Sequence, residues 1–468
     1  MPLNDITAAG RLAAIDYALL LAYLIILLLV GFLAARKRTD SLESYVLADR
    51  NLSLTAFVAT LVTTWYGGIL GVGEFSYNYG VSSWLVFGVP YYAGALLFAI
   101  FLAGRARSGN LMTIPEQLQR VYGRRAGVFG ALLVFILITP APYVLMLGVL
   151  CHSLFGWPLW LGVIAGTFFS IVYSWRGGLT AVVRTDVFQF ILMYAGFAAI
   201  LIVAATRFGG WDFLRDNLPA QHLTWHGGNS PQYIFVWYFI ALATLIDPNF
   251  YQRCFAARTP QIARRGILLA VACWIVFDFM TTATGLYARA ILPDLANAAE
   301  SYPQLALHIL PAAARGLFFI ALFATIMSTI DSFAFLSAVT LGKDVMAELL
   351  HQSDQKQIER YIHLGLALTF VLAIAIALSA QSIVAIWYQI GTAITPALLL
   401  PLASSFSSTW RMRSGLALWS MFSSAAITAL WMLTGANGTY WFGLEPIYTG
   451  LMISLLFFLT SRFAMQLK

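Results

Sequence analysis

Thirteen apolar stretches, most of them about 20 residues long, follow one another almost without pause along this chain, and that repetition restricts its fold more than any other feature. A bilayer core of about 30 Å is crossed by roughly 20 helical residues. Inside it every backbone polar group needs a partner from the chain, which segments of this length supply as α-helices. The stretches lie near 16–34, 53–77, 83–104, 126–150, 158–175, 186–206, 231–252, 264–288, 316–341, 361–379, 383–405, 414–434 and 442–461. Composition agrees, with 60% apolar and 10% charged residues and a mean hydropathy of +0.80, where soluble domains are about a quarter charged. The expected fold is an all-α polytopic membrane protein forming one transmembrane domain over residues 1–468.

An odd number of spans places the two termini on opposite faces. With the N-terminus outside, 22 of the 27 Lys and Arg residues fall on the cytoplasmic side, among them Arg36, Lys37, Arg38, Arg176, Arg184, Arg253 and Lys468. Arg11, Arg207, Arg215, Arg289 and Arg315 remain outside. Cytoplasmic loops are the ones that accumulate positive charge, so the expected location is the cell membrane, with the C-terminus cytoplasmic and lipid as the surrounding partner. The net charge of +7 then reflects orientation, and no nucleic acid and no obligate protein partner are expected. Residues 1–11 show no signal-peptide pattern, so the first apolar stretch reads as a retained span. The loops near 105–125, 207–230 and 342–360 are too short to bury a core of their own. Cys151, Cys254 and Cys273 form no CxxC pair. No HExxH, phosphate-binding glycine loop or GxSxG elbow is present, and the six histidines lack ligand spacing, so neither an enzyme nor an ATP-driven pump is expected.

The informative positions are those that interrupt an apolar run, because polar groups and broken helices are tolerated in lipid only where they line a protein cavity. The second stretch reads Thr63-Thr64-Trp65-Tyr66-Gly67-Gly68-Ile69-Leu70-Gly71-Val72-Gly73-Glu74. Each glycine weakens a helix by about 1 kcal/mol relative to alanine, and unwound backbone there would offer carbonyl oxygens to an ion. Close helix packing through small residues is the alternative reading. In the ninth stretch Thr325, Ser328, Thr329 and Ser332 recur at helical spacing and form one polar stripe beside Asp331. Hydroxyls and a carboxylate suit a hard cation, although Ser and Thr also bond their own helix carbonyls. A third signal, Gly177 to Gln189 with Asp186 inside it, reads by itself equally well as a helix cap.

Together these residues resemble the sodium:solute symporter family. Gly177 to Gln189 is similar to its Gly-Gly…Ala-Val…Thr-Asp…Gln signature. Met327-Ser328-Thr329 with Asp331-Ser332 resembles its sodium-binding helix, and Pro248, Gln252, Arg253, Ala256 and Ala257 resemble the cytoplasmic end of its seventh span. The resemblance implies a LeuT-type core of two inverted five-helix repeats, at 53–206 and 231–407, with an extra helix and first loop at 1–52 and two C-terminal helices at 408–468. It implies sodium as the coupling ion, held by the carbonyls of Leu61, Thr64 and Thr325 and the hydroxyls of Ser328 and Thr329, with a further sodium site at Asp186, Asp331 and Ser332 in some members. This chain has Thr63 where proline transporters carry an acidic residue, and it lacks a recognisable sugar-binding pattern.

The expected activity is sodium-coupled symport of a small organic solute into the cell by alternating access. The alternative is a sodium-independent or proton-coupled transporter or facilitator of the same fold. The expected solute pocket lies between the broken helices and is lined by Thr63, Trp65, Tyr66, Gly68, Trp237, Tyr238 and Gln389, with interfacial anchoring as the other reading of Trp237 and Tyr238. Asp278 is expected to face this cavity or a proton path, and Glu74 an outer vestibule. These carboxylates favour an amino acid or another zwitterionic or cationic solute.

Overall fold

The computed structural model describes residues 12–35, 41–380, 382–435 and 440–466, with the side chains of 34–35, 171–177 and 465–466 outside the description. Among the expectations above, Arg11, Arg36, Lys37, Arg38, Lys468 and the side chain of Arg176 lie outside the described residues. The described chain is helical throughout, apart from turns and one isolated bridge between Leu52 and Ala257.

Twelve helices among the described residues are long and apolar enough to cross a membrane, and a thirteenth, shorter apolar segment is Leu159–Ser170. In chain order the helices are α1 (Ala14–Ala35), α2 (Leu54–Tyr79), α3 (Trp84–Phe101), α4 (Arg124–Phe155), α5 (159–177), α6 (Gly178–Phe208) and α7 (Pro231–Ala256). They continue with α8 (Pro260–Ile291), α9 (Ala314–Ala347), α10 (Gln355–Ser379), α11 (Ile383–Ser405), α12 (Ser414–Met432) and α13 (Pro446–Ala464). Several begin on local signals. Ser53, Ser230, Thr259 and Ser382 each accept a hydrogen bond from a backbone N–H of the first turn of α2, α7, α8 and α11. Pro231 and Pro260 occupy first-turn positions that need no N–H donor.

Among the described residues three of these helices break in the middle: α4 at 138–140 and, five spans apart, α2 and α7. In α2 the helix tightens into a 3-10 turn at Tyr66–Gly68 and resumes at Ile69. In α7 it passes through a 3-10 stretch at Ala241–Ile246, becomes extended at Asp247 and restarts at Pro248. A proline cannot donate to the preceding turn, which fixes the α7 break. The first half of α2 packs against α6 and α8, and α9 runs along the joined α5 and α6.

The start of α6 corrects the expected boundary at 186. The α5–α6 rod turns at Gly178, whose φ of +57° and ψ of −160° suit glycine alone, and an added Cβ there would lie 2.5 Å from the Tyr45 carbonyl oxygen. The helix therefore starts two turns earlier, and Asp186 sits inside it rather than at its cap.

Candidate ion and solute sites at the broken helices

The polar stripe of α9 meets the break of α2. The Thr329 hydroxyl donates to the Thr64 carbonyl at 2.8 Å and lies 3.4 and 3.3 Å from those of Thr63 and Thr325. This contact requires Gly67, since an added Cβ would stand 1.9 Å from Thr329 Oγ1. Beside it Asp186, fully buried, accepts from Ser328 at 2.5 Å and from Thr60. Thr325 turns its hydroxyl back to Ala321, and Leu61 is buried on the same helix one turn before Thr64 and Trp65. Carbonyls and hydroxyls from α2 and α9, with one carboxylate from α6, thus lie together in a buried seam. That donor set suits a hard monovalent cation.

The three residues expected for a further sodium site take different partners among the described contacts. Ser332 lies against Thr64 at 3.0 Å, whereas Asp331 accepts from Ser170 of α5 at 2.9 Å, because consecutive residues on a helix point about 100° apart. Between Ser332 and Asp186 stands Arg253. This corrects its expected place in a cytoplasmic loop. Its side chain is fully buried, and one guanidinium nitrogen donates to Ser332 (2.7 Å), Thr64 (2.9 Å) and Thr60 (3.1 Å) and lies 3.9 Å from Asp186. The other terminal nitrogen donates to Asn249 and Gln252. Arg253 ended the apolar run in the sequence and was counted with the loop charges, but the α7 break carries its helix back into the protein.

On the other side of the α2 break lies a cavity of about 170 Å³. Trp65, Tyr66 and Gly68 line it, as does Asp278 from α8, which accepts a hydrogen bond from Tyr92. Four other expected lining residues are placed elsewhere. Thr63 is buried and donates to the Ala59 carbonyl of its own helix. Trp237 is fully buried behind the lining residue Phe87, their rings 4.9 Å apart. Tyr238 packs on Phe235. Gln389 lines a separate cavity with Glu74, Tyr388 and Tyr440, because its neighbours Ile390 and Gly391 take the inward face of α11.

Sequence reasoning missed Asp247, Tyr91, Tyr143 and Trp387, all of which line the main cavity. Asp247 had a readable signal, since an Asp-Pro pair inside an apolar run marks a break with a charge beside it. The aromatic residues had none, because an aromatic on an apolar helix looks the same whether it faces lipid or a cavity.

This architecture defines a LeuT-type secondary transporter. The fold of a Na+-coupled sialic acid symporter, in a substrate-bound outward-open state, superposes with a TM-score of 0.79 over 97% of this chain and 98% of that one at 18% identity. Inward-facing Mhp1 gives 0.51 over 88% and 90% at 15% identity. The profile of the sodium:solute symporter family matches residues 45–423, and the chain belongs to that family. Its relatives include the sodium/glucose cotransporter of Vibrio parahaemolyticus, 26% identical over 72% of this chain and 70% of the relative. The sodium/pantothenate symporter of Escherichia coli (strain K12) is 26% identical over 77% and 78%. The sodium/proline symporter of Staphylococcus aureus (strain JH9) is 25% identical over 94% and 91%. These relatives are symporters rather than enzymes, and the family identifies this chain as a multi-pass membrane protein with sodium as its coupling ion.

Proposed function

We propose that the protein imports a small organic solute by sodium-coupled symport with alternating access, and that the solute is an amino acid or another zwitterionic or cationic compound. Sodium is held by the carbonyls of Leu61, Thr64 and Thr325 and the hydroxyls of Ser328 and Thr329, with Asp186 beside them. The reading is carried by the turn at Tyr66–Gly68, where Gly67 touches Thr329 while Tyr66 and Gly68 face the cavity. One irregular turn borders both ion and solute, so an ion that draws α2 and α9 onto one centre also sets the shape of the cavity wall. The N-terminus is outside, and the repeats at 53–206 and 231–407 rock against each other around the α2 and α7 breaks. One sodium entering down a potential of about 100 mV gains roughly 2.3 kcal/mol, and a tenfold gradient adds about 1.4, enough for a solute ratio of a few hundredfold.

Uptake into proteoliposomes at varied sodium concentration tests this. Ser328→Ala and Thr329→Ala each remove one coordinating oxygen and are expected to raise the half-saturating sodium concentration roughly tenfold, with protein abundance unchanged. Unaltered sodium dependence in both variants would remove the assignment.

A further inference from the structure

The main cavity contains two carboxylates, Asp247 and Asp278, and no Lys, Arg or His among the described residues that line it. Asp278 is only 5% exposed. Tyr92 donates to it, and a neutral hydroxyl brings no opposite charge. Among the described residues the buried guanidinium of Arg253 donates to Thr60, Thr64, Ser332, Asn249 and Gln252, and its single charge is divided between Asp186 and Asp247 without lining the cavity. Buried charge without an opposite charge is costly, so a cavity of this kind gains from a cation that arrives with the ligand.

The rest of the wall suits such a ligand. Trp65 and Tyr91 meet edge to face at 5.3 Å between ring centroids, and Trp387 stands 5.8 Å from Phe87 and 6.5 Å from Tyr143. Aromatic faces around an acidic group attract ammonium ions, and more strongly once water is excluded. To a ligand carboxylate the described wall offers neutral hydroxyls, Thr139 among them, and no cation. The restarted helix of α7 opens on the cavity with its N-terminus, ordinarily the place for an anion. Here its first residue is Pro248, which has no N–H, and the Asn249 N–H is taken by Asp247 Oδ1 at 2.7 Å. A carboxylate of the protein stands where a carboxylate of the ligand would have to bind.

We infer that the solute of this symporter is an organic cation, a primary or quaternary ammonium compound without a carboxylate, held by Asp247, Asp278 and the aromatic box of Trp65, Tyr91, Tyr143 and Trp387. The inference rests on the symport reading above and narrows it by excluding amino acids.

Matched pairs of probes test it: choline against glycine betaine, and phenethylamine against phenylalanine. Melting of the purified protein is recorded with each probe in sodium and in potassium buffer. The expected result is a saturable, sodium-dependent rise in melting temperature with at least one of the two ammonium compounds and none with its carboxylate counterpart. Asp278→Asn and Asp247→Asn keep size and, for Asp247, the ability to cap. Each is expected to weaken that binding at least about tenfold, while the unliganded protein melts as before and keeps its response to sodium alone. Binding of only the zwitterions, binding of no ammonium probe, or unchanged affinity in both variants overturns the inference and leaves the sodium site standing. A wild-type protein that melts alike in sodium and potassium, whatever the probes do, overturns the sodium reading instead.

Discussion

Carboxylates lie on either side of the α2 break, and the protein treats them differently. Asp186 is surrounded by its own chain: two hydroxyls donate to it, and the Arg253 guanidinium lies 3.9 Å away. Asp278 and Asp247 face open volume and aromatic rings, with no protein cation among the described lining residues. In the first, the carboxylate is paired by groups of the chain, where α2, α6, α7 and α9 meet beside the proposed sodium donors. The second is only partly answered by the chain, since Arg253 acts on Asp247 from behind the wall while Asp278 meets a neutral hydroxyl, and the inferred organic cation would supply the rest. Charge satisfaction thus distinguishes the ion seam from the cavity more clearly than burial does, since Asp186 and Asp278 are both buried.

The comparison breaks most visibly at Arg253. Arg253→Ala leaves Asp186 as an uncompensated buried charge and deprives three hydroxyls of their donor, and removal of one partner from such a pair costs about 3–5 kcal/mol. A large fall in the melting temperature of the purified protein, partly recovered when Asp186→Asn is added, is expected. A variant as stable as the wild type would show that the seam is not held by charge. Asp278→Asn gives the opposite pattern. An amide oxygen still accepts from Tyr92, so stability is expected to change by less than about 1 kcal/mol, while transport falls at least tenfold in a proteoliposome assay. Equal losses of stability in the two variants would erase the distinction between the regions.

The smallest effect is expected away from both, at His222 in the segment between α6 and α7. Its side chain is 1% exposed, its Nε2 lies 3.0 Å from the Tyr77 carbonyl, and burial holds its pKa below the usual 6.5. The unfolded chain then binds the proton more readily than the folded one. Stability from this residue is present above about pH 6.5 and declines as the pH falls below it. Melting curves between pH 8 and 5 should show a shallow loss that His222→Gln removes.

The span pattern was legible because lipid imposes one rule on every residue of a crossing helix. Thr64, Thr325, Ser328 and Thr329 were legible for the same reason, as hydroxyls repeated where apolar residues are the norm, and family resemblance gave them a shared ion. Asp186 was found by resemblance but misplaced by hydropathy, which cannot see that Gly178 lets a helix begin in polar sequence. Arg253 escaped because a charge next to an apolar run looks like a loop charge until the Asp247-Pro248 break redirects the chain. The cavity wall was half legible: Trp65, Tyr66 and Gly68 flank a glycine-rich break, whereas Trp387 and Tyr143 reach the cavity through helix packing that no local pattern records.

Gly67 has a use beyond permitting the Thr329 contact. An added methyl would lie 1.9 Å from Thr329 Oγ1 where ordinary contact begins at 3.4 Å, so α2 and α9 would have to part by about 1.5 Å to admit it. Position 67 is thus a feeler gauge for the seam: an alanine there fits only those members of the conformational cycle in which the two helices have drawn apart, and its effect on ion affinity measures how often they do.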